Sequence, residues 1–171
     1  EDATDMKKKS SAQKVALYGV LIALAMVLSY VEMLIPLPVG IPGVKPGLAN
    51  LVVFLALYTM TAREAFLISM VRILLVSITF GNGSAFLYSM AGGILSFLVM
   101  WSFQKKDFLL PAGVSIAGGI AHNVGQLLMA AVILENGAVF TYFPVLLAAG
   151  CITGGIIGFL GEQIRKRIIR V

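Results

Sequence analysis

The stretch VALYGVLIALAMVLSYVEMLI, residues 15–35, decides the class of fold, because it contains a single charged side chain, Glu32. A helix rises about 1.5 Å per residue, so roughly 20 mainly apolar residues cross a hydrocarbon core of about 30 Å. Working outward, further apolar runs occupy residues 48–61, 65–80, 85–103, 108–134 and 145–160. They are punctuated by PLPVGIPGVKPG at 36–47, Arg63-Glu64, Gly81-Asn82-Gly83-Ser84, Gln104-Lys105-Lys106-Asp107 and Glu135-Asn136-Gly137. The second run is short, which implies a tilt or a start below the membrane surface. The fold expected is an all-α membrane protein of six transmembrane helices.

Composition agrees. Of the 171 residues 59% are hydrophobic and 12% charged, with a mean hydropathy of +0.97. Soluble domains carry about 45–50% apolar and about 25% charged residues. The net charge of +5 gathers at the chain ends and in the short gaps, which excludes a nucleic-acid stripe. Cys151 is the single cysteine, so no internal disulfide forms.

Lys and Arg favour cytoplasmic loops. With six spans, Lys7, Lys8, Lys9, Lys14, Arg63, Lys105, Lys106, Arg165, Lys166, Arg167 and Arg170 share one side, against Lys45 alone on the other. Both termini are therefore expected in the cytoplasm. Residues 1–14 read as a cytoplasmic tail, 15–161 as the membrane domain and 162–171 as a basic tail. Glu1–Asp5, ahead of Met6, read as a foreign or loosely ordered extension. The run at 15–35 is long for a signal peptide and five more follow, so it reads as a retained helix.

Close helix packing in lipid comes from small residues at helical spacing. Gly150, Gly154 and Gly158 form such a seam in the sixth span, and Gly113, Ala117, Ala121 and Gly125 in the fifth. Ala16, Gly19 and Ala23 in the first serve either internal packing or the docking of a partner membrane protein.

Polar groups inside the bilayer are costly and therefore candidates for function. Arg72 lies mid-way along the third span; His122 and Asn123 lie mid-way along the fifth, with Gln126 one turn on. Glu32, Asn50 and Tyr88 lie toward the outer side. The string Lys45-Pro46-Gly47-Leu48-Ala49-Asn50 reads as a loop entering a helix N-terminus, where unpaired N–H groups favour an anion. Glu32, Lys45, Asn50, Arg72, Tyr88, His122, Asn123 and Gln126 thus form the expected substrate pocket, with Phe54, Tyr58, Phe80 and Phe86 nearby in sequence for an apolar body. Two structural alternatives stand beside it. Arg72 pairs with Glu32 as a brace, or His122, Asn123 and Gln126 form an interhelical clasp.

Other chemistry lacks residues. A lone His and a Cys on another span do not make a metal site. No phosphate-binding lysine loop is present to hydrolyse ATP, and no clustered carboxylates are present for magnesium-diphosphate chemistry. No enzyme activity and no cofactor are expected.

The strings GVKPGLAN (43–50), REAFLISMVRILL (63–75), SMAGGILSFLVM (89–100), VSIAGGIAHNVGQLLMA (114–130) and PVLLAAGCITGGIIG (144–158) resemble the Gx transporter family, also labelled heptaprenyl diphosphate synthase component I. That family is in turn similar to the substrate-binding S components of energy-coupling factor (ECF) transporters. The resemblance implies an S-component-like bundle that binds a micronutrient from outside, in the plasma membrane of a bacterium. It implies a transmembrane coupling subunit with two ATPase subunits as partner. Ala16, Gly19 and Ala23 would form the docking seam, and residues 36–47 a lid. The other reading is a non-catalytic membrane partner of a polyprenyl diphosphate or quinone-pathway enzyme; a third is a scaffold without ligand.

Overall fold

The computed structural model describes residues 11–34, 47–107 and 109–168, the side chains of Met33 and Ile168 excepted. Among them the secondary structure is helical: α1 (Ser11–Leu34), α2 (Leu48–Thr59), α3 (Ala62–Phe80), α4 (Gly83–Lys106), α5 (Pro111–Leu134), a 3-10 turn (Gly137–Tyr142) and α6 (Phe143–Ile168). Each apolar run gives one helix. Most extend past the run that announced them, since a charged end such as Arg165–Arg167 of α6 suits a helix even where it does not suit hydrocarbon.

The ends follow local chemistry. Thr61 and Glu64 form a reciprocal capping box at α3, satisfying two otherwise unpaired amides. Asn82 Oδ1 accepts from Ala85 N at 2.8 Å to start α4, and Lys105 and Lys106 lie in its last turn, where they oppose the helix dipole. Pro111 occupies the first turn of α5, where its missing N–H costs nothing.

Four stretches are long and apolar enough to cross a membrane: Ser11–Glu32, Gly83–Lys106, Pro111–Leu134 and Gly137–Arg167. The apolar exterior fits this, with Val20, Val27, Ile78, Val132, Ile152 and Phe159 exposed. The chain is a multi-pass membrane protein. The 19 residues of α3 include Arg63, Glu64 and Arg72. The 12 residues of α2 reach only about 18 Å.

That short helix is the centre of the fold. Ala49, Val52, Val53, Phe54, Leu55, Ala56 and Leu57 are all buried, the pattern of a helix enclosed on every side. Val52, Val53, Ala56 and Leu57 join Ala25 of α1, Ala65 and Ile68 of α3, Phe97 and Met100 of α4 and Val114 of α5 in one cluster.

Helices α4, α5 and α6 meet backbone to backbone. A Cβ at Gly119 would lie 2.6 Å from Gly150 O, one at Gly125 2.7 Å from Ala91 O, and one at Gly154 2.7 Å from Ile116 Cα and Ser115 O. The seam expected in the sixth span is thus an internal contact. On α1 the outcome differs: Ala16, Gly19 and Ala23 are exposed, and a Cβ at Gly19 would meet nothing within 4 Å.

Two expectations follow. Gly154→Ala forces α5 and α6 apart and costs about 1–3 kcal/mol, whereas Gly155→Ala, whose Cβ meets Ile116 side-chain atoms at 3.9 Å, is tolerated. Thermal unfolding in detergent, followed by size-exclusion, compares them; equal stability would deny the seam its role.

The second concerns Glu64, in the turn before the apolar part of α3. The Tyr18 hydroxyl donates to Glu64 Oε1. That bond holds the carboxyl below the usual carboxylate range, against the opposing effect of partial burial and with help from Thr61. A carboxyl that ionises more readily when folded stabilises the fold above its unfolded value of about 4.3, and the gain is lost as pH falls through the lower folded value. Tyr18→Phe should therefore lower the melting temperature at neutral pH and flatten its decline toward acid. An unaltered acid profile would show that Tyr18 does not hold Glu64.

Candidate functional site

Of the binding residues expected from the sequence, Glu32, Asn50, Arg72, His122 and Gln126 line one cavity of about 620 Å³, its open mouth included. The enclosed part is narrow, with room for a few waters. Its walls come from five helices. The C-terminal end of α1 supplies Ser29 and Glu32, the start of α2 Asn50, one face of α3 Arg72 and Phe80, the start of α4 Ser89, and the middle of α5 His122 and Gln126.

Arg72 and Glu32 are both buried in this wall, Arg72 8% exposed and Glu32 6% exposed. The Glu32 carboxylate lies within electrostatic reach of the guanidinium. One guanidinium corner, Nη2, donates to Asn50 Oδ1 at 3.4 Å. Nε is buried and has no hydrogen-bond partner among the described residues. A buried donor left unmade costs about 1–3 kcal/mol, so this edge of Arg72 is suited to an acceptor brought from outside.

The start of α2 faces the same space. Gly47 precedes the helix at φ +78°, a left-handed conformation that favours glycine, and its carbonyl accepts from Asn50 N at 2.8 Å. Among the described residues no side chain caps this end. Its first-turn amides therefore retain the partial positive charge of a helix N-terminus, beside the Arg72 guanidinium. The apolar wall comes from Ile73, Val76, Phe80 and Ala85. Phe80 also packs against Tyr30, with ring centroids 5.3 Å apart.

His122 and Gln126 are seated by a glycine. A Cβ at Gly92 would lie 2.7 Å from His122 O, 2.9 Å from Gln126 Cγ and 3.0 Å from His122 Nδ1. The missing side chain lets the α5 polar pair sit against α4.

Not every expected residue faces the cavity. Asn123 is buried, and its Nδ2 donates to Leu146 O at 2.8 Å, so it makes an interhelical clasp to α6. Tyr88 is half-buried and is not in the lining. Phe54 and Tyr58 pair with each other at 4.7 Å between centroids, and Phe54 packs on Ile157; neither they nor Phe86 reach the cavity. Lys45 and most of the 36–47 loop lie outside the described residues. Sequence reasoning missed Ser29, Ser77 and Ser89, which also line the space. Ser29 stands three residues before Glu32, on the same helix face, and that spacing was a usable signal. Among the described residues no three His, Cys, Asp or Glu side chains gather, and Cys151 is exposed.

No curated protein and no solved structure matches the chain. A family model described as Heptaprenyl diphosphate synthase component I matches residues 21–164, from within α1 to within α6 and across every residue of the cavity wall. The chain belongs to the heptaprenyl diphosphate synthase component I family.

Proposed function

We propose that this chain is the substrate-binding membrane subunit of an ECF-type uptake transporter, and that it takes a small anionic compound with a partly aromatic or isoprenoid-like body from the outer side. One observation carries this reading: a buried arginine whose Nε has no partner among the described residues, placed by a helix N-terminus that none of their side chains caps, in a cavity with an apolar wall. In this arrangement the anion binds Arg72 Nε and the first turn of α2. His122, Gln126 and Asn50 orient it, and Phe80 and its neighbours hold the apolar body.

The topology proposed with it is six spans with both termini in the cytoplasm of a bacterial cell. The distribution of Lys and Arg supports this, as does the completion of the bundle by α2 and α3. The exposed stripe of Ala16, Gly19 and Ala23 supports a docking face for a transmembrane coupling subunit with two ATPases. ATP hydrolysis then belongs to that partner, and this chain supplies binding alone.

The family's description favours a second reading, a non-catalytic membrane partner of a polyprenyl diphosphate or quinone-pathway enzyme. The two separate by what the detergent-purified protein carries. On the transporter reading, mass spectrometry finds a stoichiometric small anion and an ATPase module co-purifies. A soluble synthase without an ATPase module would decide for the second.

Removing Arg72 tests the pocket itself. A hydrogen bond to a charged group contributes about 1.5–3 kcal/mol, so Arg72→Ala should weaken the retained ligand by about tenfold to a hundredfold. Arg72→Lys, which keeps the charge and loses the planar donor edge, should recover only part of this. Undiminished retention in Arg72→Ala would remove the cavity from the function.

A further inference from the structure

We propose that Asn50 selects the head group of the ligand: with its carbonyl turned to Arg72 it presents only N–H to the cavity, so the site takes a head whose oxygens only accept, as in a carboxylate, and refuses the matching carboxamide. The inference rests on the anion-binding reading above and goes beyond it in naming the class of head and the residue that chooses it.

The orientation of the Asn50 amide follows from the chemistry of its partner. Arg72 Nη2 donates to it at 3.4 Å, and a guanidinium has no atom that accepts, so the oxygen is the end that faces Arg72. The other end, Nδ2, can only donate. It lies on the side of Gly47, where a Cβ would stand 3.5 Å from it. Gly47 and Asn50 both belong to the cavity wall, and a glycine there, favoured by φ +78°, adds no side chain beside that nitrogen.

Arg72 Nε is two bonds from the Nη2 that Asn50 holds, and it has no partner among the described residues. Where Arg72 meets the start of α2 the wall therefore consists of donors: Nε, Asn50 Nδ2 and the first-turn amides of the helix. A carboxylate offers each of them an acceptor. A carboxamide has one oxygen, and whichever way it turns its NH2 meets another N–H. Donors left unmade in a buried site are costly, and that penalty is what lets a site refuse a ligand of nearly the same shape. Gln126, His122 and the serine hydroxyls can donate or accept, so they impose no such choice. Glu32 accepts, and its charge falls on Arg72.

Benzoate and benzamide, nearly equal in shape, are the probes. The readout is the concentration of each that half-protects the detergent-purified protein against thermal unfolding at neutral pH. In the natural chain benzoate should act at a concentration about a hundredfold lower. The charge of Arg72 alone would also favour benzoate, so the deciding variant is Asn50→Asp. It keeps an acceptor toward Arg72 and puts a second acceptor where Nδ2 stood, so the order should reverse and benzamide should protect at the lower concentration. Should Asn50→Asp fail to fold, Asn50→Leu removes the donor at similar volume, and the preference for benzoate should shrink about tenfold. Protection by benzoate that is lost in Arg72→Gln, with a preference that neither Asn50 variant alters, overturns the selection and leaves the anion site standing. Equal protection by the two probes in the natural chain, the result if Glu32 served the NH2 of benzamide, overturns the selection too. Benzoate that never protects, or protects without Arg72, overturns both the selection and the anion-site reading beneath it.

Discussion

Helices in lipid gain nothing by hiding apolar surface from one another, so their backbones must come close enough for dispersion to hold them. In this chain glycine meets that constraint. Gly119 and Gly150, Gly125 and Ala91, and Gly154 and Ser115 bring α4, α5 and α6 into contact with no side chain between. The remaining architecture leans on this layer. The fully apolar α2 has something rigid to lie against, with Gly161 of α6 making room for the Phe54 ring. Helices α1 and α3 close over it through side chains such as Ala25, Ala65 and Ile68.

The same constraint places the polar residues. Hydrocarbon leaves a buried polar group with only protein or trapped water to bond, so each needs an address. Asn123 finds the Leu146 carbonyl, and Thr59, Thr79 and Thr153 fold back on carbonyls one turn earlier in their own helices. Arg72 is different, because its one hydrogen bond among the described residues, to Asn50, uses a single corner of a five-donor fork. A structural brace would be expected to satisfy the whole guanidinium. The unmet Nε is what tips the weight from brace toward binding group, while the charge of Glu32 explains how the arginine is tolerated when nothing else is bound.

The helices were legible because lipid removes the usual ambiguity between helix and strand. A long apolar run must satisfy its own amides, and among single segments only a helix does so. The centrality of α2 was not legible. A 12-residue apolar helix reads the same whether it is a short span or a core element, and burial on all sides depends on partners far away in sequence. The cavity was partly legible, since charged and amide side chains inside apolar runs advertise their cost. Which of two neighbours faces it was not: His122 and Asn123 diverge by about 100° around α5, and only the position of α6 assigns Asn123 to a clasp. Ser29, Ser77 and Ser89 escaped notice because serine is also an ordinary packing residue in membrane helices.

The cavity lies where two kinds of packing meet. On one side are α4 and α5, joined through glycines whose neighbours are backbone atoms; displacing them breaks many short contacts at once. On the other are α1, α3 and the start of α2, held by side chains that can change rotamer. On the proposed function, the α1–α3 wall offers a ligand less resistance than His122 and Gln126, which are seated against Gly92. That division puts Glu32 and Arg72 on the wall that yields. Any change in how strongly the two attract also changes how firmly that wall is held, so on the proposed reading the chemistry of the ligand and the opening of its site are one event.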